Sequence, residues 1–351
     1  MRAGSTRAAF RIGGTSVAPG GRATVNLELP GLYTNDPVSM PVHVVHGRRD
    51  GPVLFVSAAV HGDEINGVEI IRRLLRMPQM ARLRGTLLAV PIVNVFGFHN
   101  RSRYLPDRRD LNRSFPGSES GSMAGRLAHI FTAEIIARSD VGIDLHTAAI
   151  HRANLPQIRA DINDPILEPL ARTFSAPVLL HSAAPTGSLR GAAAALGVSV
   201  MVYEAGEALR FEEMSIQIGV RGTLNVLRQL QMLPPSKRKP SKPSAVLRSS
   251  TWQRAPQSGI LRAQSGLGDL VGKGDVLGVV ADPNGDSEMP IEAPYDGVVI
   301  GRANLPLVFE GEALFHVART RQTSLLEQHL DALNDGSNIA PPEVIEEPPI
   351  V

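Results

Sequence analysis

Three places in the sequence put an imidazole or a carboxylate at the end of a short apolar run. His61-Gly62-Asp63-Glu64 follows the run at 53–60, Asp144-Leu145-His146 closes the run that starts at Val141, and Glu204 follows the run at 198–203. Imidazole and carboxylate are ordinary zinc ligands, and a catalytic zinc takes three protein ligands while leaving a further position open. His61 and Glu64 supply two, and His146 is the candidate third. Asp144 can orient a ligand ring from behind. Zinc lowers the pKa of its water to about 7, and a neighbouring carboxylate can take that proton and later deliver it to a leaving amine. Glu204 is read as that base, and Glu207 as a cap on the turn or helix that follows. An arginine beside the metal would stabilise the oxyanion on the attacked carbonyl. Together these parts describe amide hydrolysis. A lone His-x-x-Glu occurs on many turns by chance, and only the arrival of three strand ends at one rim makes it informative.

The surrounding pattern supplies such a rim. The run at 53–60 has the length and β-branched character of a buried parallel strand. A helix follows with Val68, Ile71, Leu74 and Leu75 as its apolar stripe, and Arg72, Arg73 and Arg76 on the solvated side. The run at 86–93 completes a β-α-β unit, for which parallel pairing and a right-handed crossover are expected. Ligands in open α/β sheets sit outside the carboxyl ends of the strands. A helix is expected over about 122–138, a short strand at 141–145, helix-like segments near 164–174 and 188–196 around a strand at 178–181, a strand at 198–203 and a long helix at about 212–232. Residues 11–47 read as edge strands and turns, with His43 and His46 structural.

Residues 96–122 are expected to be a long irregular loop, dense in Arg, Asp, Asn and Gly, and long loops in compact domains are commonly functional. Arg103-Tyr104 and the stretch from Asp110 to Gly117 mix guanidinium, amide and apolar anchors, as a carboxylate-binding loop would. Residues 151–157 are read as another polar loop, with Arg152 a candidate for specificity.

Composition narrows the function classes. The chain has 351 residues, 43% of them apolar, a net charge of +2 and no cysteine. A large core is within reach, and disulfides, thiol nucleophiles and thiolate metal sites are excluded. The charge is too small for a nucleic-acid footprint, and no basic stripe is interleaved with aromatics. No apolar run is long enough to span a bilayer, and the N-terminal residues lack an apolar signal core, so a cytoplasmic protein without a membrane partner is expected. Acidic small molecules can still be bound through local arginines.

Residues 234–250, rich in Pro, Ser and basic residues, read as a linker. Residues 251–320 change to short alternating strands and Gly turns, which predicts a small all-β barrel or sandwich module. Residues 321–351 read as one short helix and a Pro- and Glu-rich disordered tail.

Four spaced motifs, His61-Gly62-Asp63-Glu64, Asp110-Leu111-Asn112-Arg113, Asp144-Leu145-His146 and the strand end at Glu204, resemble the succinylglutamate desuccinylase/aspartoacylase family, relatives of the zinc carboxypeptidases. The resemblance covers about residues 40–233. It implies a zinc-carboxypeptidase-like α/β fold with a mixed, mostly parallel sheet, flanking helices and a C-terminal β domain, with residues 1–233 as the deacylase unit and 1–50 as its N-terminal β extension. It implies one zinc per chain on His61, Glu64 and His146, Glu204 as base, Arg103 polarising the scissile carbonyl, and Asn112 with Arg113 on the substrate carboxylate. The implied substrate is a small N-acyl amino acid, with the acyl group and amino acid open, and a homo-oligomer is allowed. Residues 293–297 are also similar to a biotinyl/lipoyl-type sandwich, but the preceding turn Ser287-Glu288-Met289-Pro290 has no lysine to modify, which leaves a packing, oligomerising or site-covering role. Two other readings stay open: a carboxypeptidase acting on a peptide or glutamyl tail, and a non-catalytic binding protein. Retention of a base beside three ligands speaks against the second.

Overall fold

The computed structural model describes residues 7–236, 243–320 and 326–327. The chain begins with a hairpin of β1 (Phe10–Ile12) and β2 (Thr15–Val17), then the antiparallel pair β3 (Arg22–Leu29) and β4 (Val38–His46). In β3, Val25, Leu27 and Leu29 are buried while the residues between them are exposed, the alternation of a strand with one face on the core. Next come β5 (Val53–Ala58), α1 (Asn66–Arg76), β6 (Thr86–Val90), α2 (Val95–His99), α3 (Met123–Glu134), β7 (Val141–Ala148), β8 (Arg152–Ala160), α4 (Leu167–Phe174), β9 (Val178–His181), α5 (Leu189–Ala195), β10 (Ser199–Glu207) and α6 (Glu213–Gln229). The strands that follow are β11 (Ala245–Leu247), β12 (Ser250–Arg254), β13 (Gly259–Ala263), β14 (Leu270–Val271), β15 (Val276–Ala281), β16 (Glu288–Glu292), β17 (Gly297–Ala303), β18 (Leu307–Val308) and β19 (Ala313–Arg319).

One large mixed sheet organises the fold, in the order β12-β19-β17-β8-β10-β7-β5-β6-β4-β3. Its centre, β10-β7-β5-β6, is parallel, and its strands are buried on both faces. Helices α1, α4 and α6 cover one face: Ile70, Ile71 and Leu74 of α1 pack with Leu170 and Phe174 of α4 and Ile216 and Leu227 of α6. Each such side chain contributes roughly 1.5–3 kcal/mol by leaving water. The other face packs against α3, α5 and the β3-β4 edge through Phe55, Leu88, Leu127, Phe131 and Leu189.

The sheet departs from the expected parallel majority. Outside the central four strands, β3-β4, β4-β6, β8-β10 and the β17-β19 region are antiparallel. For β8 the physical reason lies at residues 149–151, where a tight turn joins β7 to β8 and reverses the chain without the crossover helix that parallel strands need. Residues 152–157, expected in a loop, thus belong to a strand. The expected loop at 96–122 contains α2 and a 3-10 turn at Leu111–Arg113, and the helix expected to 138 stops at Glu134 before a separate 3-10 turn, Ile136–Arg138.

The C-terminal strands are continuous with this sheet. β17 pairs with β8, aligning Gly301 with Asn154, and a further sheet runs β16-β15-β13-β18. The expected linker at 234–250 is shorter than read: Ala245–Leu247 form β11, parallel to β9, while residues 237–242 lie outside the described residues. The expected short helix and tail also lie outside them, except Leu326 and Glu327. No helix among the described residues is long and apolar enough to cross a membrane.

Candidate metal centre

Strand register sets the centre. In the parallel ladders Asp144 pairs with Ser57, and His146 pairs with Glu204, so three neighbouring strands deliver these residues at one rim of the sheet. β10 is irregular just after Glu204: the pairing shifts between Glu204 and Glu207 against β7, and between Glu204 and Gly206 against β8. Bulges of this kind re-aim side chains beside active sites. His61 and Glu64 come from the turn between β5 and α1. Gly62 has to be a glycine here, because a Cβ would fall 2.0 Å from the Gly97 carbonyl carbon at the start of α2. Asn66, the first residue of α1, accepts from the Glu212 N–H at 3.1 Å and donates to the Ala205 carbonyl at 3.2 Å, which ties this helix start to the end of β10.

Donor atoms of His61, Glu64 and His146 all lie within 4.8 Å of one another, and all three residues are buried. The Nδ1 atoms of His61 and His146 each lie 2.7 Å from a different oxygen of Glu64. Their Nε2 atoms are held from behind, His61 by Asp110 at 3.1 Å and His146 by Asp144 at 2.7 Å. Anchoring one ring nitrogen with a carboxylate so that the other turns inward is how proteins present imidazole to a metal. Asp144 is held in turn by the Ser57 hydroxyl at 2.7 Å. Two imidazole nitrogens and a carboxylate, all buried and converging on one point, fit the donor set that zinc takes from proteins.

The electrostatics are those of a compact charged cluster. Burial alone would raise the pKa of Glu64, but the positive charge and hydrogen bonds of His61 and His146 hold it far below the ordinary carboxylate range. Burial disfavours charge on both rings; Glu64 and Asp110 outweigh it at His61, and Asp144 and Glu64 at His146, so both pKa values are raised. Asp110 is also held low against the cost of burial, by His61 and Arg103.

The loop expected to bind a carboxylate is pinned above this cluster. Asn94, at the end of the β6 segment, caps α2 by accepting from the Gly97 N–H at 2.8 Å and donates to the Arg103 carbonyl at 3.3 Å. Arg103 grips Asp110 Oδ2 through Nε at 3.2 Å and Nη2 at 3.0 Å, and its Nη1 lies 3.3 Å from Glu64 Oε1. Asp110 accepts from the Asn112 N–H at 2.8 Å, and Asn112 Oδ1 accepts from the Leu189 N–H at the start of α5 at 2.9 Å. Arg113 donates to the Asn112 carbonyl at 2.7 Å.

All seven residues singled out from the sequence, His61, Glu64, Arg103, Asn112, Arg113, His146 and Glu204, line one cleft of about 280 Å³. The same wall holds residues that sequence reasoning missed. Arg159 and Asn154 come from β8, Arg190 from α5, and Trp252 from β12. Asn154 donates to Glu204 Oε2 at 2.8 Å, and Arg159 Nε lies 3.8 Å from Glu204 Oε1. Arg190 donates to the Ser182 carbonyl and hydroxyl, each at 3.1 Å. Arg152 lies over the Trp252 ring, 5.5 Å from its centre. Asp110 stood inside a noted motif, yet its grip on His61 and Arg103 carried no sequence signal of its own.

Residues 50–230 match the succinylglutamate desuccinylase/aspartoacylase catalytic domain family. The chain is 27% identical over 294 residues to an N-alpha-acetyl-L-2,4-diaminobutyric acid deacetylase from Halomonas elongata, covering 80% of this chain and 86% of that protein. Its fold is similar to a succinylglutamate desuccinylase/aspartoacylase structure from Rhodobacter sphaeroides, with a TM-score of 0.78 and 24% identity over 86% of this chain and 96% of that one. A product-bound ectoine utilization protein from Ruegeria pomeroyi is equally similar, at a TM-score of 0.78 and 24% identity over 85% of this chain and 95% of that one.

Proposed function

The chain belongs to the succinylglutamate desuccinylase/aspartoacylase family, and on that premise we propose that it is a zinc-dependent hydrolase cleaving the amide bond of a small N-acyl amino acid. The observation that carries this reading is the convergence of His61, Glu64 and His146 donor atoms within 4.8 Å, in a cleft that Glu204 also lines. The deacetylase activity of the Halomonas elongata relative supports the reaction class.

In this reading His61, Glu64 and His146 hold one zinc ion, which when bound makes water acidic enough to ionise near neutral pH and polarises a carbonyl. Glu204 accepts a proton from the attacking water and returns it to the amide nitrogen. One water is consumed, the C–N bond breaks, a C–O bond forms, and a carboxylate and a free amine leave. Arg103, fixed by Asp110, presents its guanidinium beside Glu64 to the carbonyl oxygen as negative charge develops there. Asn112 and Arg113 hold the carboxylate of the amino acid, Arg113 through charge-assisted hydrogen bonds. We read the fold as zinc-carboxypeptidase-like, with residues 1–233 as the deacylase unit and 251–320 as a β-rich module that narrows the cleft through Trp252.

The test is metal analysis of the purified chain together with a panel of N-acyl amino acids and short peptides. One zinc per chain and release of free amine from an N-acyl amino acid are expected. A metal-free chain that remains active, or turnover confined to chain-shortened peptides, would overturn the reading.

A further inference from the structure

We propose that Asn154 is the positioning residue of Glu204 and that the C-terminal strands hold it in place through Gly301. This rests on the reading of Glu204 as the base. Asn154 is buried on β8 between two neighbours, with Gly206 of β10 aligned on one side and Gly301 of β17 on the other. Its amide Nδ2 donates to Glu204 Oε2 at 2.8 Å. Arg159 Nε, a buried donor without a hydrogen-bond partner, is 3.8 Å from Glu204 Oε1, beyond hydrogen-bond reach. One carboxylate oxygen is therefore fixed by a hydrogen bond from a neutral donor, while the other faces Arg159 only as a loose ion pair without a hydrogen bond and keeps its lone pairs for a proton.

The chemistry favours this division. A base that must accept a proton is poorly served by a tight ion pair, because a cation in contact stabilises the ionised carboxylate and weakens it as a base. An amide orients the group with a weaker electrostatic bias. The bulge after Glu204 lets the strand bend at this point, so something outside β10 has to set the carboxylate angle. Asn154 sits where it can, and its own freedom is removed from behind. A Cβ on Gly301 would lie 2.9 Å from Asn154 Oδ1 and 3.3 Å from the His316 Cβ, so a side chain at this position would push the Asn154 amide from its place. Strands that follow residue 244 thus complete the support of a base carried by β10.

Steady-state kinetics and zinc content of Asn154→Ala, Asn154→Asp and Gly301→Ala test the role. Asn154→Ala is expected to lower kcat about ten- to a hundredfold, the cost of a misplaced catalytic group, while KM stays within about threefold and zinc is retained. Asn154→Asp keeps the shape, sets a like charge against Glu204, and should lose at least as much kcat. Gly301→Ala should lower kcat in the same way, and the Gly301→Ala/Asn154→Ala double variant should lose little more than Asn154→Ala alone, as expected of two residues acting through one contact. Wild-type kcat in Asn154→Ala or Asn154→Asp overturns the role, as does a loss explained by missing zinc or by KM alone. If the wild-type chain hydrolyses no N-acyl amino acid, the reading of function fails first and takes this role with it.

Discussion

Asp144 Oδ2 lies 2.7 Å from His146 Nε2, and both groups are buried, so the ring of His146 is turned with Nδ1 toward Glu64. Asp144 thereby fixes which nitrogen can face an ion. Asp144→Asn keeps the size and removes the charge that supports the ring. Zinc affinity, measured by competition with a chromogenic chelator, should fall about 10–100-fold. Unchanged affinity would show that His146 needs no such support.

Glu204→Gln separates metal binding from proton transfer. Glu204 is not among the three converging donors, so zinc content should match the wild type, while kcat falls by about 10²–10⁴. His146→Ala, in contrast, should lose both zinc and turnover. Wild-type turnover in Glu204→Gln would remove the assignment of the base.

Arg113→Ala addresses substrate binding. The proposed charge-assisted bonds to a carboxylate are worth on the order of 1.5–3 kcal/mol, so KM for an N-acyl amino acid should rise about ten- to a hundredfold with kcat little changed. The matching N-acyl carboxamide, which lacks the negative charge, should show a much smaller response to the substitution. Equal effects on the two compounds would place the carboxylate elsewhere.

His316 gives the chain a pH-dependent stability term. Burial, and next the nearby charge of Arg159, push its pKa down to about 3, and its Nδ1 is buried without a partner. The unfolded chain binds a proton at this group near the ordinary histidine value while the folded chain does not. Between roughly pH 6.5 and 3 the unfolded state holds more protons, so stability falls as pH falls, by up to about 1.4 kcal/mol per pH unit from this group. Melting temperatures of wild type and His316→Gln across pH 4–7 should diverge, with the variant showing the flatter acid side. Parallel curves would remove the effect.

Local patterning made much of the candidate centre legible. His61, Glu64 and His146 each stand where an apolar run stops, and such runs read as strands whose carboxyl ends share a rim. The helix α1 followed from its apolar stripe, with Ile71 and Leu74 buried as its spacing predicts. The expected carboxylate loop also met the cleft through Arg103, Asn112 and Arg113. Strand β8 escaped notice because its sequence, RANLPQIRA, lacks both a continuous apolar run and a clean alternation. It is polar because Arg152, Asn154 and Arg159 line the cleft, and it is a strand because β10, β17 and β9 pair with it.

By itself, the sequence determined which residue types could bind a metal, the central strands and the helix α1 around them, and the chemistry that two imidazoles and a carboxylate permit. Those properties depend on neighbours within a few residues, where periodicity and side-chain chemistry act directly. Tertiary structure alone decided the register that sets Glu204 beside His146, the carboxylate of Asp110 that turns the His61 ring, the placement of Trp252 against the cleft, and the alignment of Gly301 with Asn154. Such contacts arise from pairing and packing between distant strands, and no local pattern encodes which distant partner a strand edge will meet.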